Sequence, residues 1–142
     1  MNIVLYTMKI IAIKGRGNCG KSETLGIHLR RILKERNGIP YKECWKDTRE
    51  SIDVNGKVID ICPPGDNADE VKANISFVEK HPCDVVFTAT RTRGGSWNTL
   101  KEYATEKRTE LIEIWKEYND DLDIEGQTTA NKILAEELLK ML

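Results

Sequence analysis

The sequence predicts an α/β domain of three layers: a mostly parallel sheet with helices on both faces and one β-hairpin. Three observations lead there. A β-branched run, Ile10, Ile11 and Ile13, stops at Gly15, as a central strand buried on both faces would. Apolar residues at helical spacing follow the glycine-rich stretch at once. The strand-then-helix order then recurs toward the C-terminus. The 142 residues, 39% hydrophobic and 32% charged, suit one compact domain over 1–142 with a core of its own.

The elements follow in order. From Lys21 to Arg36, Leu25, Leu29, Ile32 and Leu33 form a helical stripe, which Asn37, Gly38 and Pro40 end. Tyr41 to Trp45 is expected to be a short strand. Ser51 to Val54 then faces Lys57 to Cys62 across Asn55-Gly56, the dipeptide best suited to the positive φ angles of a two-residue hairpin. Asn67 with Glu70 three residues on makes a capping box for a helix carrying Val71, Ile75 and Val78 as far as His81-Pro82. Val85 to Phe87 reads as a buried strand and Trp97 to Lys107 as a helix with Leu100, Tyr103 and Ala104 inward. Thr109 to Glu117 satisfies both strand and helix spacing, and the alternation of elements selects strand. Gly126 with Thr128 is expected to open a last helix carrying Ile133, Leu134, Leu138 and Met141. Met8 begins a segment complete in itself, so Asn2 to Thr7 is either an extension of the first strand or a start-site extension.

Bulk properties exclude several classes. Lys plus Arg number 22 against 23 for Asp plus Glu, so no uniform field holds a polyanion, and nucleic acid is not an expected partner. The apolar stretch Met8 to Ile13 is short and carries Lys9, and no signal peptide or membrane span is expected. Cys19, Cys44, Cys62 and Cys83 lack metal-ligand spacing and read as free thiols of a reducing, cytoplasmic setting.

Gly15-Arg16-Gly17-Asn18-Cys19-Gly20-Lys21-Ser22 satisfies G-x-x-x-x-G-K-[ST] at every fixed position. Glycines let the backbone curl so that successive N–H groups point inward at phosphate oxygens, and the following helix adds its positive end. Lys21 would neutralise β- and γ-phosphates, and the Ser22 hydroxyl would ligate Mg2+. The nucleotide-binding candidates are therefore Gly15, Arg16, Gly17, Asn18, Cys19, Gly20, Lys21, Ser22 and Glu23. Gly15, Gly17 and Gly20 also spell the dinucleotide fingerprint G-x-G-x-x-G. That fingerprint wants an acid about 20 residues on at a strand end, and Glu35 at that distance falls inside the first helix. Strand, loop, Lys-Ser and helix together resemble the P-loop NTPase superfamily, which implies a P-loop NTPase-like fold binding a nucleoside triphosphate with Mg2+.

A second motif, Val58-Ile59-Asp60-Ile61-Cys62-Pro63-Pro64-Gly65-Asp66, closes the hairpin. A carboxylate near the end of a strand beside the loop strand would hold magnesium, and Gly65 would approach the γ-phosphate. Asp60 is the first candidate, because the order of elements places its strand next to the loop. Asp66 is the second. The plain alternative makes Asp60 an edge-strand polar residue and Asp66 a helper of the following helix N-terminus. Asp60 with Pro63-Pro64-Gly65 resembles the Walker B segment of MinD-, ParA- and Mrp-type ATPases, with one additional residue between acid and prolines. Arg16 stands where their signature lysine would be. The resemblance implies ATP as the nucleotide and, if Arg16 acts as that lysine does, a homodimer in which it reaches the partner's nucleotide. The other reading of Arg16 is a solvent-facing loop residue.

Thr88-Ala89-Thr90-Arg91 stands where a guanine-reading Asn-Lys-x-Asp would lie, so ATP is preferred to GTP. Arg91 and Arg93 leave the strand edge where open α/β sheets bind ligands, and either would contact phosphate or sit in a solvated loop. Lys21, Arg16, Arg91 and Arg93 are thus the catalytic candidates. Asp47, Thr48 and Arg49 read as a turn or exposed ion pair, with a switch role as the alternative. Arg30, Arg31, Lys34 and Arg36 read as a solvated helix face, and Trp45, Trp97 and Trp115 as packing residues. Cys19 would have a stabilised thiolate in such a loop, but a small residue tolerated at a variable position is the simpler reading. The functional expectation is a small ATPase or ATP-dependent switch. The alternatives are a small-molecule or nucleotide kinase and a nucleotide-dependent binding module.

Overall fold

Parallel pairing organises the molecule. In the computed structural model, which describes residues 8–142, strand β1 (Lys9–Lys14) is hydrogen-bonded on one side to β4 (Val85–Thr90) and on the other to β5 (Glu110–Trp115), both parallel to it. Next to β4 lies β3 (Lys57–Cys62), also parallel, and β2 (Glu50–Val54) closes that edge antiparallel to β3. The sheet order is β2-β3-β4-β1-β5. The question of Asn2 to Thr7 lies outside the described residues.

After β1 and the glycine loop, one continuous helical segment runs through α1 (Lys21–Glu23), a π-helical stretch (Thr24–Leu29) and α2 (Arg30–Arg36). The sequence pattern did not announce the π turns. Ile11 and Ile13 face Leu25, Leu29 and Leu33 of this segment together with Ala135 and Leu138 of α5 (Ile124–Leu139). Ile10 and Ala12 face the other way, toward Val71 and Val78 of α3 (Ala68–Lys80) and Leu100 and Ala104 of α4 (Gly95–Glu106). Helices therefore cover both faces. Each fully buried isoleucine or leucine of these clusters contributes about 1.5–3 kcal/mol of transfer free energy.

Local chemistry accounts for most boundaries. Asn55 (φ 54°) and Gly56 (φ 88°) both take the positive φ that the hairpin turn demands. The Asn67 side chain accepts from the Glu70 amide at 2.8 Å, so the expected N-cap forms, and its side-chain amide rather than its backbone N–H donates to the Glu70 carboxylate at 3.1 Å. The stretch with two readings is strand β5, and its half-exposed pattern is that of an edge strand. Helix α5 begins earlier than Gly126. Asp123 is the cap, accepting from the Gly126 amide at 2.7 Å, because a carboxylate three residues nearer the strand offers the free amides an acceptor that Gly126 and Thr128 do not.

Tyr41 to Trp45 forms no strand. Its side chains are exposed or half-exposed and offer the sheet no apolar face. The segment is instead held from the helix: fully buried Arg30 donates to Cys44 Sγ at 3.1 Å, to Glu50 Oε1 at 3.2 Å and to the Thr48 carbonyl at 2.5 Å. Arg30 is therefore not on a solvated face, although Arg31 and Arg36 are, paired with Glu35 and Glu136.

Loss of the α3 cap in Asn67→Ala is expected to cost about 1 kcal/mol and to lower the thermal midpoint by about 3 °C. An unchanged midpoint in a calorimetric scan would mean that α3 starts without its cap.

Candidate functional site

Because β1, β3, β4 and β5 run the same way, the loops that follow them gather at one edge of the sheet. The loop after β1 curls through left-handed residues at Asn18 (φ 56°) and Gly20 (φ 96°) into the first helical turn. Its glycines sit against close neighbours, backbone at Gly15 and the movable tip of Arg91 at Gly17. A Cβ on Gly17 would meet the Arg91 guanidinium at 2.6 Å, and one on Gly15 would meet the Lys116 carbonyl at 2.9 Å and Cys19 Sγ at 2.6 Å.

Lys21, 6% exposed, folds back across this loop and donates to the carbonyls of Gly15 (2.6 Å) and Arg16 (2.8 Å). Burial pushes its pKa below the usual lysine value, while Cys19 and Asp66 beside it favour the charged form and Arg91 opposes it. Asp66 lies 3.8 Å from the Lys21 ammonium and accepts from Arg91 Nε at 3.1 Å. The structure thus brings Lys21, Arg91 and Asp66 to one point. Arg93 is exposed in the loop beyond.

The cavity at this point, about 290 Å³, is lined by residues 18–23, 45–47 and Asp66. Ser22 is half-buried on its wall. Asp47 lines the cavity, and its Oδ1 is buried with no hydrogen-bond partner among the described residues. The sequence favoured a turn or exposed ion pair at Asp47 to Arg49; the turn is present at residues 46–47, while Arg49 is half-buried and donates to Asn74 Oδ1 at 2.6 Å, and Asn74 donates to the Pro64 carbonyl at 2.5 Å. The Asp47 turn and the Pro-Pro-Gly-Asp66 loop are thereby joined.

Several candidates stand elsewhere. Asp60 is not beside the loop, because β4 lies between β3 and β1, and its register partner Val86 is level with Ile10. That is four residues, about 13 Å, before the end of β1. Asp60 is fully buried. Burial pushes its carboxyl above the usual carboxylate range, with hydrogen bonding from Ser51 and Cys83 and the charge of His81 acting the other way. The expectation that Asp60 lies on the strand next to the loop is therefore corrected, and of the two acids Asp66 is the one at the loop. Gly65 packs against β4, where an added Cβ would lie 1.7 Å from the Ala89 carbonyl. Glu23 turns to Asn131 and to His28 at 3.5 Å. Arg16 is half-exposed over the Tyr118 ring (4.4 Å) and 3.5 Å from Asp120 of its own chain. Cys19 is buried inside the loop.

Lys14 escaped the sequence reading, and Trp45 and Arg30 were misread. Lys14, at the end of β1 and buried, places its ammonium 3.6 Å from the Trp97 ring and 4.7 Å from that of Trp115. Trp45 is 68% exposed rather than packed. Arg30 did leave a signal: it shares a helical stripe with Gly26 and Leu33 at i, i+4 and i+7.

A larger cavity of about 730 Å³ opens at the opposite strand edge among Lys9, Lys57, Asp84, Arg108 and Glu110. That is the edge where open α/β sheets do not collect ligands. Among the described residues no group of three His, Cys, Asp or Glu is placed to hold a metal by itself, and no helix is long and apolar enough to cross a membrane. Comparison with protein-family models, curated proteins and solved structures returns no match.

Asp60 titrates with a raised pKa in the native state, so its contribution to stability is complete below the ordinary value of 3.8 and is lost as pH rises through the raised one. Asp60→Asn is expected to abolish that loss. Urea midpoints from about pH 4 to about pH 8 would then decline for the wild type and stay flatter for the variant; parallel profiles would show that Asp60 does not titrate there.

Proposed function

We propose that the chain binds a nucleoside triphosphate such as ATP on the loop Gly15 to Ser22, together with Mg2+, and cleaves its γ-phosphate. One observation supports this above the rest. Loop residues 18–22, the Lys21 ammonium and the carboxylates of Asp47 and Asp66 converge on a single cavity at the ligand-binding edge of the sheet. Helix N-terminal amides and a lysine suit a polyphosphate, and carboxylates beside them suit a hard cation.

The residues then divide the work. A triphosphate in the loop would exchange the Gly15 and Arg16 carbonyls on Lys21 for β- and γ-phosphate oxygens, which are stronger acceptors because they are charged. Arg91, lying over Gly17, would supply a second positive charge to the γ-phosphate as negative charge spreads over it. Ser22, Asp66 and Asp47 would hold the cation, the unpartnered Asp47 Oδ1 being the feature that fits it. Magnesium, when bound, offsets the charge of the phosphates being separated. Arg16, engaged with Tyr118 and Asp120, supports the reading of a loop residue of its own chain over that of a dimer finger.

Lys21→Ala is expected to weaken ATP binding on the order of tenfold or more, through loss of charge-assisted hydrogen bonds. Asp66→Asn should raise the magnesium concentration needed for binding and turnover, and Asp60→Asn should not. Calorimetric titration with ATP at several magnesium concentrations measures both. Unchanged affinity in Lys21→Ala sinks the assignment of the loop, and an Asp60 effect larger than the Asp66 effect returns the metal to β3. Single-turnover release of phosphate, run beside transfer to a panel of metabolites, separates hydrolysis from a kinase; neither product with intact binding would leave a nucleotide-dependent binding module.

A further inference from the structure

The backbone of residues 45–48 is seated on the first helical segment by contacts that leave it little freedom. Gly26 lies so close beneath it that an added Cβ would be 1.6 Å from the Lys46 carbonyl. The Thr48 amide donates to the Trp45 carbonyl at 2.9 Å, and the Thr48 carbonyl accepts from buried Arg30. This turn carries Asp47 into the phosphate-side cavity. Two residues earlier, on the same fixed turn, it carries the Trp45 side chain to the rim of that cavity and leaves it 68% exposed. Single exposed apolar residues are ordinary on protein surfaces. An exposed indole on an anchored turn, at the mouth of a cavity walled by a glycine loop, is a surface whose position is set in advance.

The cavity itself sets what remains outside. At about 290 Å³ it is at the lower end of the range for pockets that enclose a whole small molecule. A triphosphate with its cation fills such a space, and the base then lies over the rim. An indole offers a base a flat, polarisable face, and stacking of this kind accepts any base while favouring the larger ring systems.

We infer that Trp45 is the platform on which the base of the nucleotide stacks, so that the site reads the face of a purine rather than its hydrogen-bonding edge. The inference rests on the triphosphate reading of the loop, and it adds the base to it. Binding energy then has two separable parts, one from the phosphates on residues 15–22 and one from the base on Trp45.

Calorimetric titration of the full chain with ATP, GTP, CTP and inorganic tripolyphosphate, each with Mg2+, separates these parts. In the wild type ATP and GTP are expected to bind better than CTP, and CTP better than tripolyphosphate. Trp45→Ala should weaken ATP and GTP on the order of tenfold and leave tripolyphosphate unchanged, and Trp45→Phe should restore most of the loss. Equal affinity of the wild type for ATP and tripolyphosphate, or an unaffected ATP affinity in Trp45→Ala, overturns the stacking while leaving the phosphate loop in place. Equal losses for ATP and tripolyphosphate in Trp45→Ala also overturn it, since they show that the indole only props the turn. A wild type that binds neither ATP nor tripolyphosphate removes the loop reading and the stacking with it.

Discussion

Strand β1 is paired on both edges by parallel neighbours, and the site depends on that constraint. A strand hydrogen-bonded from both sides and covered on both faces has no freedom to slip, because a shift of one residue would exchange Ile11 and Ile13 with Ile10 and Ala12 between two different cores. The loop that leaves β1 therefore starts from a fixed point. Parallelism adds the second consequence: β3, β4 and β5 end at the same edge, so Asp66, Arg91 and Lys116 are delivered to the loop by three separate strands without any contact between them in sequence. Backbone precision at that edge is high enough that neighbouring carbonyls leave no room for a side chain at Gly15 and Gly65.

The turn at 45–48 is positioned by different physics. Removing a guanidinium from water is costly unless its donors are met, so Arg30, fully buried, dictates where the following segment must lie. Its partners are Cys44, Thr48 and Glu50, and Glu50 is shared with Lys34 at 2.6 Å. A buried charge is weak evidence for stability, but it fixes geometry, because any other path of the chain strands the charge. The Arg49–Asn74–Pro64 relay does the same for the loop ending in Asp66. Two acids that would meet one cation are thus held by two buried polar anchors rather than by apolar packing.

This division explains what was legible in the sequence. Features set by local chemistry could be read directly: the Asn55-Gly56 hairpin, the Asn67 cap, the glycine loop between a strand and a helix, and an alternation strong enough to choose strand for Glu110–Trp115. Features set by long-range pairing could not. Nothing in Val58 to Asp66 says whether its strand lies next to β1 or one place removed, so the expectation that Asp60 stands beside the loop failed; the insertion of β4 leaves Asp66 as the nearer acid. Tyr41 to Trp45 has the β-propensity of a strand but no apolar alternation to bury, and Arg30 supplies the hydrogen-bonding alternative. Arg30 and Asp47 were read from their charge as solvated, which is the usual fate of such side chains and the reason their burial carries information.

The charges around the loop are not equally committed. Arg91 and Asp66 are each about half exposed, and an ion pair of that kind contributes roughly 0–1 kcal/mol. Lys21 is buried and held by two carbonyls, with a pKa lowered by that burial. On the proposed reading, a polyanion entering the loop meets these groups in that order of resistance. Arg91 turns from Asp66 to phosphate at little cost. Lys21 must break two good hydrogen bonds, and what compensates is the exchange of neutral acceptors for charged ones. Asp66, relieved of both cations, is left as an uncompensated carboxylate beside Ser22 and Asp47, which is the condition under which a divalent cation is drawn in. Phosphate and metal would then each create the electrostatic need that the other meets.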